Sequence, residues 1–392
     1  MAEAFKNLIN AATLAHAAQH LQRACDHFDG DRFLHLASDG LDSLAFKARA
    51  MQVAEALDTC LPAPFEQAAE ALEAALAPPL TLDEKGEPVG LGTALSEEGL
   101  SGWVLWGVGE YVARRGIDNT PRALACLHAI TQRFTAEFAI RPFIDRHPEA
   151  VFPVLAQWTQ DPSAHVRRLV SEGSRPRLPW GLRLQQIVVD PSPSWPLLLA
   201  LQDDSSAYVR RSVANHLNDI AKDHPDRVAT WVKTHLKGAS PARKALLRHA
   251  SRGLIKSGHG GTLQAWGLGR AFDGHASLAL SARRVTVGEG IELQVQLRSG
   301  SEQPQALEVD YVVHHMRANG STSPKVFKGW RLTLEPGASP LMLRKRHSLR
   351  PVSTRQLYPG LHRIELQING KVSAEASFNL LPPKPDLGPT TP

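Results

Sequence analysis

Three carboxylates and one tryptophan are the side chains of this sequence whose surroundings suggest chemistry. Glu137 falls among phenylalanines, Glu172 follows Arg168 by four residues, and Asp219 ends a helical row that begins with an arginine. Trp180 lies eight residues beyond Glu172, after a run that breaks a helix. A carboxylate stabilises positive charge that develops on a sugar and orients water, while an indole face attracts a cation. This set would suit hydrolysis of an N-glycosidic bond to a cationic base, because a charged base needs no protonation to leave.

Each of these residues also has a purely structural explanation. Glu137 would be solvated, or paired with Arg133 or Arg141 four residues away on a helix. The segment between Glu172 and Trp180 would be an irregular loop that tucks the tryptophan into the core. Both explanations stay open at this stage.

The segments that must hold these side chains contain a repeated sequence motif. The run Asp161-Pro-Ser-Ala-His-Val-Arg-Arg168 reappears 43 residues later as Asp204-Ser-Ser-Ala-Tyr-Val-Arg-Arg211. That period is typical of HEAT-type two-helix repeats, which bury their apolar faces only by stacking on neighbours. The second copy continues with a helical apolar stripe to Ile220, whereas Gly173-Ser-Arg-Pro-Arg-Leu-Pro-Trp180 interrupts the first. We therefore predict an α-helical solenoid with one broken repeat.

Basic residues recur at equivalent positions of the repeats. A third, weaker unit at Ala239–His249 continues the arginine rows of the first two. Equivalent positions of a solenoid line up on one concave surface, where a positive track suits a phosphate backbone. The predicted DNA-binding residues are Arg167, Arg168, Arg175, Arg177, Arg210, Arg211, Arg243 and Lys244.

Two segments before the repeats contribute aromatic and apolar residues. The stretch from Pro121 to Arg141 is predicted to be a single helix, which Pro142 ends or kinks. Trp103, Trp106 and Tyr111 share one segment and would either pack in the core or offer a platform for base stacking.

The helical period disappears after a glycine-rich stretch at residues 254–274. About seven short alternating strands then predict an all-β immunoglobulin-like sandwich over residues 275–382. The adjacent His314 and His315 would face opposite sides of a strand, so a shared metal is not expected. The predicted organisation is a HEAT-like repeat domain at 1–270, the sandwich, and a disordered tail at 383–392.

Composition narrows the class of protein. The 392 residues carry a net charge of +5, but the first 100 hold 16 acidic and 6 basic residues, so the basic surface lies further on. Such a field implies a polyanionic partner, with nucleic acid favoured over membrane. No apolar run reaches the roughly 18 residues of a membrane span. The start lacks the features of a secretion signal, and the three cysteines suggest neither disulfides nor zinc, so a cytoplasmic protein is expected.

The order of these motifs resembles a known family. No Walker loop, dinucleotide fingerprint, zinc-protease motif or nucleophile elbow is present. The segments Phe134–Phe143, Val166–Trp180 and Tyr208–Asp219 look like those of the AlkC branch of the HEAT-like-repeat DNA alkylation-repair glycosylases. Ser-Glu-Gly-x-Arg-Pro-x-x-Pro-Trp is the most specific part of the match, and many members carry a similar C-terminal domain.

The resemblance implies an activity and a set of roles. It implies removal of cationic N-alkylated bases, such as 3-methyladenine and 3-methylcytosine, from duplex DNA without metal or organic cofactor. Glu172 and Trp180 match the family's active-site segment, Asp219 and Glu137 its other acidic positions, and Arg168 with Arg211 would hold phosphates.

The resemblance also implies that the lesion is reached in place, without flipping the base out of the duplex. The sandwich would then help to encircle the duplex. Candidate contacts there are Arg317, Lys325, Lys328 and Arg344–Arg346.

Two questions stay open at the level of sequence. Glu172 is the first choice for the catalytic carboxylate because it sits at the broken repeat, but Asp219 fits equally well. The rival function is a non-catalytic scaffold that binds DNA or a protein partner, since most HEAT arrays are scaffolds. A monomer is expected in either case.

Overall fold

The protein combines a helical region with a C-terminal β-sandwich. The computed structural model describes residues 5–84, 86–91, 95–352 and 356–383. By its internal contacts the chain divides into two compact units, one running up to His224 and including Ala239–Ala250. The other contains Pro225–Gly238 and the residues from Ser251 onward. Three helical segments thus belong to the unit of the sandwich, and the boundary expected near residue 270 stays a prediction.

Helices make up the described chain as far as Ala265. They are α1 Ala11–Ala24, α2 Gly30–Ser38, α3 Phe46–Cys60, α4 Phe65–Ala74, α5 Val104–Arg115, α6 Thr120–Thr131, α7 Arg141–Arg146, α8 Pro148–Trp158, α9 Ala164–Gly173, α10 Gln185–Val189, α11 Trp195–Leu201, α12 Ala207–Ile220, α13 Pro225–Leu236, α14 Pro241–Ala250, α15 Arg252–Lys256 and α16 Gly260–Ala265. Short 3-10 segments occur at Phe5–Leu8, Leu41–Ser43 and Ser192–Ser194.

The predicted repeat helices are α9, α12 and α14. Helix α12 buries Val209, Val213 and Leu217 completely, so its apolar stripe lies against neighbouring helices. Helix α9 packs against α12, and α12 packs against α14. Helix α9 stops at Gly173 whereas α12 continues to Ile220, as the broken first repeat predicts. The predicted HEAT-like solenoid is confirmed.

The single helix predicted from Pro121 to Arg141 is wrong. Helix α6 ends at Thr131, and a new helix, α7, begins at Arg141 with Pro142 in its first turn. The side chain of Gln132 donates to the carbonyl of His128, and Arg133 donates to the carbonyls of Ala129 and Ala77. The bonds to His128 and Ala129 satisfy carbonyls that the end of α6 leaves unpaired. Glu137 therefore lies in a turn between helices.

Among the described residues, eight strands form the sandwich. They are β1 Gly274–Leu280, β2 Arg284–Thr286, β3 Gly290–Ser299, β4 Gln305–Met316, β5 Thr322–Leu334, β6 Leu341–Ser348, β7 Gly360–Ile368 and β8 Lys371–Leu381. One sheet has the order β1-β3-β6 and the other β2-β8-β7-β4-β5. The seven predicted strands are confirmed. The three-residue β2, parallel to the end of β8, was not predicted because it is too short to show alternation.

Strand register is fixed by a tight turn and by the core. Asn369 and Gly370 join β7 to β8, both with positive φ (49° and 76°), which is the geometry of a two-residue hairpin. Side chains from both sheets, including Ile291, Val313 and Phe378, pack into one apolar cluster between them. The predicted disordered tail from residue 383 lies almost wholly outside the described residues.

Candidate active site

The repeated motif ties successive repeats together. Oδ1 of Asp161 accepts the backbone N–H of Ser163 at 2.7 Å, and Oδ1 of Asp204 accepts that of Ser206 at 2.8 Å. Arg167 of the first copy lies with Nε 2.6 Å and Nη2 3.0 Å from the Asp204 carboxylate. The aspartate of one copy therefore binds the first arginine of the copy before it.

The first arginines of the later copies have similar partners. Arg210 donates to the carbonyl oxygens of Asp204 and Ser205, and Arg243 forms an ion pair with Asp203. All three first arginines thus bind groups of the protein itself. Their contact with phosphates stays a prediction.

The second arginine of the first copy points into the helical unit. Nη1 of Arg168 donates to Oε2 of Glu137 at 2.8 Å and to Oγ1 of Thr135 at 2.7 Å. Its guanidinium lies over the ring of Tyr208, 5.2 Å from the centroid. Arg168 is therefore held on three sides.

The second arginine of the next copy meets a loop instead. Arg211, whose side chain is 53% exposed, forms a bidentate pair with Glu87, with Nη1 2.8 Å from Oε1. We call residues 81–84 and 86–91 the acidic loop, since they include Asp83, Glu84 and Glu87. The loop is fixed again where Oγ of Ser206 donates to the carbonyl of Gly86 at 2.9 Å. It thus covers the start of α12.

Three carboxylates and three cations alternate across the broken repeat. We call this row the charge chain, and in order it contains Glu137, Arg168, Glu172, Arg175, Asp219 and Lys222. After the Glu137–Arg168 pair, the closest N–O distances along the row are 3.5, 2.6, 2.6 and 2.8 Å. The turn after α6, the helices α9 and α12, and the segment after α9 all contribute to it.

Burial and charge act against each other in this row. Burial alone would raise the pKa of Glu172, but Arg168, Arg175 and a 2.6 Å hydrogen bond from Ser212 outweigh it and hold that pKa below its ordinary value. Burial raises the pKa of Glu137, and Arg168 offsets part of that rise. Glu172 is therefore an ionised carboxylate in a nearly dry place.

The end of α9 is fixed by close packing. A Cβ added to Gly173 would lie 2.6 Å from Cγ2 of Ile140, so only glycine lets the two segments approach. Oγ of Ser174 then donates to the carbonyl of Val170 at 2.6 Å. The chain leaves the helix here and turns toward Trp180.

Arg141 links this helix end to the segment around Trp180. Its guanidinium is fully buried and donates to the carbonyl of Gly173 at 2.8 Å and to that of Leu182 at 2.5 Å. Burial, followed by the charge of Arg175, lowers the pKa of Arg141 to about 10. Arg141 therefore ties the end of α9 to the backbone two residues beyond Trp180.

Trp180 stands out from the surface. Its side chain is 59% exposed, and its backbone has a φ of 65°, which is rare for a bulky residue. Its ring stacks on that of Trp106, with 6.2 Å between centroids and 14° between planes. Lys47 donates to its carbonyl at 3.1 Å. The alternative of a tryptophan tucked into the core is wrong, since one face is left open.

Comparison with known proteins gives matches over nearly the whole chain. Residues 274–382 match the family model of the YhaZ C-terminal Ig-like domain. The uncharacterized protein YhaZ of Bacillus subtilis (strain 168) is 31% identical over 381 residues, 96% of this chain and 99% of that protein. A solved structure of Pseudomonas fluorescens alkylpurine DNA glycosylase AlkC, bound to DNA containing an abasic site analog, is 35% identical, with a TM-score of 0.86 over 97% of this chain and 100% of that one. The chain belongs to the AlkC family.

In this AlkC-family chain the structure brings together part of the predicted site. Glu137, Glu172 and Asp219 meet in the charge chain with Arg168 and Arg175. Their predicted roles are not tested by the fold and stay predictions.

Other predicted DNA-binding residues lie elsewhere on the AlkC-family chain. Arg177 pairs with Asp223 at 2.6 Å, and Lys244 is exposed on α14. The structural alternative for Glu137 is wrong, since its partner is Arg168 rather than a residue four positions away.

Several residues of the charge chain and its surroundings were missed from the sequence. Lys222 follows Asp219 by three residues, so helical spacing could have found it. Tyr208 occupies the motif position that histidine holds in the first copy. Ser212 and Arg141 leave no such signal, because one binds across repeats and the other binds backbone carbonyls.

Two kinds of feature are absent from the described residues. No group of three or more His, Cys, Asp or Glu there is arranged to hold a metal ion. None of the helices described combines the length and apolar character required to cross a membrane.

Proposed function

We propose that this protein is a DNA glycosylase that hydrolyses the N-glycosidic bond of cationic alkylated bases, such as 3-methyladenine and 3-methylcytosine, in duplex DNA. The observation that carries the proposal is Glu172, a buried carboxylate held ionised by two arginines and a serine. An exposed tryptophan on the same broken repeat supports it. The Pseudomonas fluorescens relative is itself named as an alkylpurine DNA glycosylase.

The charge chain suits a reaction that develops positive charge on a sugar. Glu172 is held ionised, and fixed donors orient both it and Asp219, so the two carboxylates stabilise that charge without reorganising first. Oε2 of Glu172 accepts only Ser212 among the hydrogen bonds described and keeps a lone pair for water. The base leaves neutral because it carried the positive charge, so no general acid is required.

Trp180 would bind the lesion from outside the charge chain. Its open face attracts either a cationic base or the sugar that becomes cationic. Because it projects from the surface, we include in the proposal that the lesion is reached without rotation into a pocket. Most enzymes that act on a base do rotate it.

Affinity for the duplex would come from exposed cations. Arg211 and Lys222 have half-exposed side chains, and Lys244 is exposed. Each phosphate contact adds about one unit to the slope of log affinity against log salt. Binding to undamaged duplex should therefore weaken as salt rises.

The test measures release of free base from N-methylated duplex DNA. Wild type should release 3-methyladenine and 3-methylcytosine, whereas Glu172→Gln and Asp219→Asn should each be slower by about 100-fold or more, in line with loss of an electrostatic group at a transition state. Thermal unfolding checks that the variants fold.

A matched control uses a carboxylate far from the site in sequence and contacts. Glu66 pairs with Arg122 on the surface, so Glu66→Gln should release base at the wild-type rate. A rate near wild type in Glu172→Gln would remove that residue from the role. No release by wild type, with salt-sensitive DNA binding intact, would favour the non-catalytic scaffold.

A further inference from the structure

Trp106 connects a carboxylate to the exposed tryptophan of the site. Its indole Nε1 donates to Oε1 of Glu110 at 3.0 Å. The Trp106 ring is buried, with 2% of the residue exposed, and lies between Phe138, 4.8 Å between centroids, and Trp180. Because an indole N–H lies in the ring plane, Glu110 contacts the edge of Trp106, the inner ring of a stack whose outer ring is Trp180.

The hydrogen bond changes the electrostatics of that stack. An indole that donates its N–H to a carboxylate carries more electron density, and groups in a row polarise one another in a low dielectric. The negative π face is what attracts a cation. The negative charge at the edge of Trp106 thus makes the Trp180 ring stacked on it more attractive to a positive charge.

The stack is held in one position from several directions. Phe46 meets Trp106 edge-on at 5.4 Å and Trp180 edge-on at 6.3 Å. Lys47 binds the carbonyl of Trp180, whose backbone is in the left-handed region. Such a conformation persists only where the surroundings impose it, and it is typical of functional sites.

We propose that Glu110, acting through Trp106, is a positioning residue that orients Trp180 and strengthens its attraction for the positive charge of the bound lesion. This inference rests on the proposed glycosylase function and adds a residue that the charge chain does not contain. Within the part of the chain that the structure describes, Glu110 has no hydrogen bond or ion pair with the charge chain. Its role is to set the aromatic face toward the cation.

The effect depends on the charge state of Glu110. Burial raises the pKa of Glu110, while the Trp106 hydrogen bond and the charges of Lys47 and Arg114 lower it again in part. These are the charged groups that face it from α3 and from its own helix. Protonation of Glu110 at acid pH should remove the effect, and the substitution Glu110→Gln should remove it at every pH.

The first measurement is single-turnover base release at saturating protein. Glu110→Gln keeps the size of the side chain and an acceptor oxygen but loses the charge, and Trp106→Phe keeps a stacked ring but loses the N–H. Each should slow release by about 3- to 10-fold. The double variant should be no slower than the slower single one, because both changes remove one interaction.

The second measurement does not depend on turnover. Wild type should bind a duplex with a cationic pyrrolidine abasic-site analogue more tightly than one with neutral tetrahydrofuran, and both variants should lose about 3- to 10-fold of that preference. Affinity for the tetrahydrofuran duplex should not change. Glu70→Gln on the exposed face of α4 is the matched control and should match wild type.

The outcomes separate this inference from the proposed function. Suppose that wild type releases base, and that Glu110→Gln and Trp106→Phe have the rate and the cation preference of wild type. This result overturns the inference but leaves the proposed function in place. A purely structural Glu110 would give that result, because glutamine preserves the hydrogen bond. If Glu110→Gln does not fold, Trp106→Phe decides by the same criteria. Absence of release by wild type refutes the glycosylase proposal and this inference with it.

Discussion

Arg175 holds two buried carboxylates at once. It lies 2.6 Å from both Glu172 and Asp219, and its side chain is 11% exposed. Arg175→Met would leave both carboxylates without this partner in a place with little water. Removal of one partner from a buried pair costs about 3–5 kcal/mol of unfolding free energy. We expect a loss of this size in urea unfolding of the full chain.

A neighbouring arginine provides the control for this prediction. Arg177, two residues further on, pairs with Asp223 near the surface. Arg177→Met should cost at most about 1 kcal/mol, as is usual for solvated pairs. Equal losses of unfolding free energy in the two variants would show that burial does not make the ion pairs of Arg175 contribute more to stability than the Arg177 pair.

The sequence identified the carboxylates of the charge chain better than it identified their partners. Helical spacing placed Glu172 one turn beyond Arg168 and Asp219 two turns beyond Arg211, and both lie on the predicted repeat helices. The partner of Glu137 could not be predicted, since i, i+4 spacing assumed a helix that ends at Thr131. The role of Arg141 was not predicted because a side chain that binds backbone carbonyls needs no complementary side chain in the sequence.

Under the proposed function, the acidic loop would compete with DNA for Arg211. Glu87 occupies the guanidinium that a phosphate would bind. Glu87→Gln should weaken that pair, so affinity for undamaged duplex should rise by about 3- to 10-fold and the salt slope should steepen by about one. Fluorescence anisotropy of a labelled duplex at several salt concentrations measures both.

A second acid on the same loop separates the contact from net charge. Glu84 is exposed, and Glu84→Gln changes the charge of the acidic loop by the same amount. It should alter affinity much less than Glu87→Gln. Similar gains from the two variants would contradict a specific competition at Arg211.

Helices and strands were predicted correctly where a periodic pattern of apolar residues extended over many residues. The prediction failed where side-chain hydrogen bonds end a helix. The 43-residue offset predicted α9 and α12, and alternation predicted seven strands of the sandwich. The end of α6 depends on Gln132 and Arg133 binding carbonyls, which apolar spacing does not record. The segment with Trp180 was recognised as broken, but its left-handed backbone requires contacts from α3 and α5 that are distant in sequence.

At the scale of the molecule, buried neutral histidines should make stability depend on pH. Burial lowers the pKa of His20, His165 and His362, and it lowers that of His216 to about 4. The unfolded chain therefore takes up protons first as pH falls below about 6.5. The free energy of unfolding is therefore retained above pH 6.5 and falls between pH 6.5 and pH 4. His216 alone should account for a loss of about 2 kcal/mol by pH 5.

Urea midpoints at pH 7.5, 6 and 5 measure this loss. His216→Gln, which keeps a donor near the Ser171 carbonyl, should flatten the fall, whereas His35→Gln on an exposed position should leave it unchanged. A midpoint that does not move between pH 7.5 and 5 would contradict the assignment of neutral buried histidines.

The two units are interlaced along the chain, which passes between them after His224, Gly238 and Ala250. The charge chain is fully synthesised once Lys222 leaves the ribosome, but α14, which packs on α12, follows only after α13 of the other unit. A nascent chain therefore holds an uncovered apolar face on α12 until α14 emerges. Because each unit is made of two separate stretches of chain, no single cleavage can separate one complete unit from the other.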